Sequence, residues 1–157
     1  MDEDRQTLID AVRTAAHRSK RAANALDDAI AERFGINRTD LRHLDLLCDG
    51  PLSAGQLSER SGLSPAAMTT LIDRLERKGY VRRIRDLNDR RRVFVELTDQ
   101  ARKAAWEVYG PLAQDANELL GDYTDDQLSA MCDLLRADSE LHQRHHQRVK
   151  TDPTLTS

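Results

Sequence analysis

The stretch from Ser53 to Leu97 leaves few folds open to this chain. Ser53 followed three residues later by Gln56 is a capping-box pattern, which predicts a short helix with Leu57 turned inward. Ser61-Gly62-Leu63 reads as a tight turn. Ser64 then caps a second helix with Pro65 at its first position, where a missing amide costs nothing. The inner face of that helix is Met68, Leu71, Ile72 and Leu75, at i, i+3, i+4 and i+7. Ala66, Thr69, Thr70, Asp73, Arg74 and Arg77 are left on its outer side, and Lys78-Gly79 ends it. Tyr80 to Arg85 reads as a strand, and the residues from Arg85 to Arg90 carry the turn chemistry of a hairpin loop. Val93, Val95 and Leu97 alternate on a returning strand, so that one face packs down while the tip projects. Helix, tight turn, helix and β-ribbon form a compact scaffold for placing one helix in a DNA groove with a loop beside it.

The charge distribution fits that scaffold. Arg82, Arg83, Arg85, Arg90, Arg91 and Arg92 fall within eleven residues that carry only two acids, Asp86 and Asp89, although the 157-residue chain has a net charge of -3. A nucleic-acid footprint is therefore a local patch on an acidic body. With 39% hydrophobic and 32% charged residues, the chain fits one helix-rich domain or two small lobes sharing a core, not a disordered tail. No run approaches the ~20 apolar residues that cross a bilayer. The stretch from Met1 to Arg5 is mostly acidic with no long apolar run after it, which predicts no secretory leader, no membrane partner and a cytoplasmic location.

Long helices are expected on both sides. Leu8, Val12, Ala15, Ala16, Ala22, Ala23, Leu26 and Ile30 recur at helical spacing between about Arg5 and Arg33. A narrow stripe rich in alanine, on a helix too long to cover in a small domain, reads as half of a dimer interface; the alternative is packing on its own chain alone. Phe34-Gly35-Ile36 breaks this helix, and Asn37 or Thr39 caps the next, whose face is Leu41, Leu44, Leu47 and Cys48. Asp49-Gly50-Pro51 stops it. After the ribbon, Thr98 or Asp99 caps a second long helix through Ala101, Ala105, Val108 and Leu112 to about Leu120, which Gly110-Pro111 should kink or divide. Thr124 with Gln127 repeats the capping box ahead of a closing stripe of Leu128, Met131, Cys132, Leu135 and Leu141, and the chain is expected to fray from Val149. The expected fold is mainly α with a small β-hairpin wing. Residues 5–36 and 99–148 form a helical dimerisation lobe, residues 37–98 a winged helix-turn-helix lobe and residues 149–157 a flexible tail.

The free amides at Ser64 suit a backbone phosphate, and Thr69, Thr70 and Arg74 can face the major groove; the alternative makes the charged positions of this helix ordinary solvated ones. An arginine at the ribbon tip suits the narrow minor groove, with its neighbours on phosphates and Asp89 orienting one guanidinium. Cys48 and Cys132 have neither disulfide-framework nor zinc-finger spacing and are expected to be buried thiols, with a redox role as the alternative. His142, His145 and His146 fall at i, i+3 and i+4, but Arg144 and Arg148 stand among them and no acid is interleaved, so no metal site is expected. No nucleophile with its base, phosphate-binding glycine loop or carboxylate pair points to an enzyme, and no cofactor is implied.

The run from Ser53 to Thr98 resembles the winged helix-turn-helix of MarR-type transcriptional regulators. The most specific likeness is the acid, any residue, arginine pattern of the wing, here Asp89, Arg90 and Arg91, followed by a strand ending in Leu97-Thr98. Leu75, Gly79, Val81 and Arg83 match a second family segment, and the flanking helices match in length and order. The resemblance implies that Arg91 enters the minor groove braced by Asp89, with Arg90 and Arg92 beside it, and that Ser64, Thr69, Thr70 and Arg74 lie on the recognition helix. Ala66-Ala67 stands where many relatives are polar and Thr70 where an arginine is frequent, which shifts readout toward Thr69, Arg74 and groove shape. It further implies a homodimer on a pseudo-palindromic double-stranded operator, released by a small aromatic or acidic effector. Trp106 and Tyr109 could line the effector's cleft or pack in the dimer interface. The competing reading is a protein-interaction module, whose partner would have to be strongly acidic to meet six wing arginines.

Overall fold

The structure is a computed structural model that describes residues 2–86, 89 and 92–152. Its elements among these residues are α1 (Asp2–Arg33), α2 (Arg38–Leu46), β1 (Leu52–Ser53), α3 (Ala54–Ser61), α4 (Pro65–Arg77), β2 (Val81–Arg85), β3 (Val93–Leu97), α5 (Asp99–Gly121) and α6 (Asp125–Thr151). The chain divides into two compact units, one ending at Val108 and the other starting at Tyr109.

Local chemistry sets the boundaries of the first unit. Asn37 is extended and its side chain accepts the Asp40 amide at 2.8 Å, which starts α2. The capping box of α3 is complete: the Gln56 amide donates to Ser53 Oγ at 3.2 Å, and the Ser53 amide donates to Gln56 Oε1 at 2.9 Å. Gly62 turns the chain from α3 toward α4 at φ 74°, a left-handed conformation that any side chain would strain. Ser64 caps α4 through the Ala67 amide, with Pro65 in its first turn.

These helices share one core. Leu41, Leu44 and Leu47 of the α2 segment, Leu57 of α3 and Met68, Leu71, Ile72 and Leu75 of α4 are buried with Val81, Val95 and Leu97 of the sheet. Ile30 and Ala31 close it from the end of α1, and Ala101 from the start of α5. Met68 is fully buried, so its truncation to alanine should cost about 2–5 kcal/mol.

The sheet has three antiparallel strands in the order β1-β3-β2, one more than the hairpin expected from the sequence. β1 adds only Leu52 and Ser53, opposite Val95 and Phe94. Two residues are too short to display a strand period. The register of β2 on β3 sets Val81 opposite Leu97 and Arg85 opposite Val93. Val95 and Leu97 are buried as expected, whereas Val93 is exposed because its level of the ribbon lies beyond the helices.

Of the two outcomes expected at Gly110-Pro111, division does not occur: α5 is one helix with Pro111 inside it, and a proline removes only one amide from such a length. α6 does not fray at Val149 but continues to Thr151, whose hydroxyl donates to the Gln147 carbonyl at 2.9 Å while the Asp152 amide donates to the Arg148 carbonyl. In the second unit, Thr124 and Gln127 form the expected capping box, and none of its described residues is buried. The stripe of α1 is likewise uncovered from Leu8, 67% exposed, through Val12 to Leu26. Among the described residues no helix is long and apolar enough to cross a membrane.

Candidate nucleic-acid interface

The first two turns of α4 face solvent. Ser64, Pro65, Ala66, Ala67, Thr69 and Thr70 are exposed while Met68 between them is buried. The Thr69 hydroxyl donates to the Pro65 carbonyl at 3.0 Å and the Thr70 hydroxyl to the Ala66 carbonyl at 3.1 Å. Both protons are thus engaged inside the helix. What the two threonines present outward is a methyl group and oxygen lone pairs, able to meet a thymine methyl or an exocyclic amine.

The second half of α4 is tied to its surroundings. Arg74 was expected on the outer side but is half-buried: its Nε donates to Asp40 Oδ2 of α2 at 3.0 Å and its Nη2 to Asp40 Oδ1. Asp40 is 1% exposed and sits in the first turn of α2, the positive end of that helix dipole. Its hydrogen bond raises the already high pKa of Arg74 further. From the other side, Arg83 of β2 donates through Nη2 to Asp73 at 2.5 Å and through Nη1 to Glu76, and its amide reaches Glu76 Oε1 at 3.3 Å. Beyond the helix, Lys78 Nζ donates to the Gly35 carbonyl at 2.9 Å and the Tyr80 hydroxyl to the Phe34 carbonyl at 2.8 Å. At the start of α2, the Arg38 guanidinium bonds the Asn24 carbonyl and side chain, Asp28 and Asp27 on α1.

Sequence reasoning missed Asp40, although a signal was present. Asp40, Leu44 and Leu47 share one face at i, i+4 and i+7, and an acid on an apolar face needs a buried partner.

The ribbon arginines divide in two. Arg82 is paired across the strands with Glu96 at 2.6 Å, and Arg83 is held by α4, so both serve the fold. Arg85 and Arg92 are exposed toward the tip. The Arg92 guanidinium lies 5.2 Å over the Phe94 ring, a cation–π contact that aligns it. Three backbone amides pin the loop: the Asp86 amide donates to the Arg92 carbonyl, the Arg92 amide to the Asp89 carbonyl and the Asp89 amide to the Asp86 side chain at Oδ1, 3.2 Å away. The Asp89 backbone thus helps hold the loop, and Arg90 and Arg91 lie outside the described residues.

Neither cysteine is buried, contrary to expectation. Cys48 follows the C-cap of α2 and is exposed although Leu41, Leu44 and Leu47 are buried, whereas Cys132 lies on a stripe of α6 that the single chain leaves open. Partial desolvation of the thiol and nearby Asp45 push the pKa of Cys48 above the ordinary 9.0, against the pull of Arg102, and its Sγ–H points at the Leu44 carbonyl. His142 bonds back to Asp138, and among the described residues no group of His, Cys, Asp or Glu is arranged to hold a metal ion. Trp106 is 75% exposed, with Leu112, Leu119 and Leu135 also uncovered.

Comparison with known proteins places this geometry in context. The model of the MarR family matches residues 36–93. The chain is 34% identical over 123 residues to the uncharacterized HTH-type transcriptional regulator YcgE of Bacillus subtilis strain 168, covering 78% of this chain and 80% of that one. Among solved structures, it is similar to a mutant MarR from E. coli complexed with operator DNA, with TM-score 0.53, 23% identity and coverage of 80% of this chain and 91% of that one. It is also similar to NadR in complex with 4-hydroxyphenylacetate, with TM-score 0.58, 23% identity and coverage of 80% and 90%.

Proposed function

The chain belongs to the MarR family of winged helix-turn-helix transcriptional regulators, not enzymes, and on that premise we propose that it is a homodimeric repressor released from its operator by a small molecule. The observation that carries the reading is the pairing of an exposed α4 start with an arginine-bearing ribbon tip on a lobe where Arg74, Arg82 and Arg83 are tied to carboxylates. Residues 37–98 act as the DNA-binding lobe. Ser64 offers backbone amides to a phosphate, Thr69 and Thr70 meet base edges in the major groove, and Arg90, Arg91 and Arg92 reach the flanking minor groove and its phosphates. Asp89 orders that loop.

Residues 5–36 and 99–148 form the dimerisation lobe, and the second copy covers the apolar residues left open on α1, α5 and α6. Exposed side chains such as Leu8, Leu119 and Leu135 are too many for a lone chain to leave in water. Two recognition helices then enter successive major grooves ~34 Å apart on a pseudo-palindromic site. An aromatic or acidic effector, as in the NadR complex, releases DNA by binding a dimer with misplaced recognition helices better than the DNA-compatible one. Such a regulator works in the cytoplasm.

The test is binding to the duplex upstream of the protein's own gene and to a scrambled duplex of equal length, across a salt series. Tight selective binding with a steep salt slope supports the regulator. Equal weak binding to both places the operator elsewhere, and no binding at low salt favours the protein-interaction module.

A further inference from the structure

Arg74 of α4 is half-buried against α2, and its partner is a carboxylate almost wholly removed from water. We propose that Asp40 and Arg74 form the seat that fixes the recognition helix on α2, with Arg74 a positioning residue for DNA binding and not a DNA contact. The inference rests on the DNA-binding reading above and deepens it.

Three observations carry it. The bond is side-on and two-pronged, Nε and Nη2 to the two oxygens of one carboxylate, a geometry that fixes direction as well as distance. The exposure is lopsided: Asp40 is 1% exposed while the Arg74 side chain retains 35%. If DNA drew Arg74 outward, a buried carboxylate would be stranded, which costs more than one base or phosphate contact returns. Lastly, α2 is itself clamped to the end of α1 by Arg38, so Asp40 stands on a fixed support. The pair therefore transmits the setting of α2 to α4.

A positioning role and a contact role predict opposite behaviour. A DNA contact at Arg74 contributes one cation to the salt dependence of binding, lysine can replace it at a phosphate, and removing the nearby acid Asp40 leaves affinity the same or better. A positioning role makes Asp40 as necessary as Arg74, although Asp40 carries the wrong charge for DNA.

The experiment uses the full chain and the duplex that the parent protein selects from a random-sequence library. Parent, Asp40→Asn, Arg74→Gln, Arg74→Lys and the Asp40→Asn/Arg74→Gln double variant are titrated well below their unfolding temperatures over a salt series. The expected result is a loss of about fivefold or more in both neutral single variants, with no change in the slope of log affinity against log salt. Arg74→Lys fails to rescue, and the double variant binds no worse than the weaker single one. Because partial unfolding lowers apparent affinity without changing the slope, the active fraction of each variant is first counted by stoichiometric titration and its affinity referred to that fraction. Because Arg74→Lys keeps the charge, it still separates the two roles where a neutral variant does not fold.

A slope lower by about one in Arg74→Gln, with Asp40→Asn binding as tightly as the parent, would make Arg74 a DNA contact and overturn the inference. Parent-like affinity in every folded variant would reduce the pair to a structural one and also overturn it. If the parent selects no duplex, the DNA-binding reading fails and the inference falls with it.

Discussion

Arg83 on β2 reaches back to Asp73 on α4 at 2.5 Å, and the same guanidinium also holds Glu76 one turn on. One side chain thus joins the ribbon to the helix beside it. Its removal leaves two carboxylates of α4 facing each other at i, i+3. Arg83→Ala should lower stability by about 1 kcal/mol, a modest figure because all three groups are partly in water. Urea unfolding measures it, and the deficit should shrink at high salt as screening weakens the pairs. A deficit indifferent to salt would assign the effect to packing.

The Asp40–Arg74 pair should break asymmetrically. Arg74→Ala leaves a carboxylate at 1% exposure without its cation, at a cost of about 3 kcal/mol. Asp40→Asn leaves a guanidinium that can turn to water, so its cost is smaller. Urea unfolding of both variants checks the order, and equal losses would overturn it.

Cys48 is reachable yet sluggish. With its pKa above 9.0, it carries less thiolate at pH 7 than an ordinary cysteine. Alkylation by iodoacetamide, followed by peptide mass spectrometry, should be slower at Cys48 than in a short peptide of the same sequence, and should accelerate as pH passes 9. A rate above the peptide's at pH 7 would revive a redox role.

The terminal helices should depend on a second chain. Sedimentation at micromolar concentration is expected to give twice the mass of the chain. Placing aspartate at Val12 and Leu135 should give the single mass or unfolded terminal helices, since both apolar side chains are open to solvent in the lone chain. Unchanged mass in the doubly substituted protein would move the interface elsewhere.

What could be read in the sequence was short-range. The capping boxes at Ser53 and Thr124, the proline at the start of α4 and the face of Met68, Leu71, Ile72 and Leu75 depend on residues within two turns of each other, and each recurs in the structure. Asp40 and Arg74 are 34 positions apart, so no local pattern links them. β1 escaped notice because a two-residue strand borrows its pairing from β3. The arginine run looked uniform, yet Arg82 and Arg83 answer to acids on neighbouring elements, which composition cannot reveal. The cysteines were misplaced for different reasons: Cys48 stands past the end of α2 and leaves the buried face of Leu41, Leu44 and Leu47, while Cys132 lies on a face of α6 that the lone chain leaves open.

Along α4, side-chain bonds change character at Asp73. Before it, Ser64, Thr69 and Thr70 bond within their own helix; from Asp73 on, side chains reach α2 and β2 and, through Lys78 just past the helix, the Gly35 carbonyl that follows α1. Substitutions at Ala66, Ala67, Thr69 or Thr70 therefore disturb none of the bonds that hold the helix in place. The surface offered by the first two turns is free to diverge, by evolution or by engineering, while the frame that carries it stays constant.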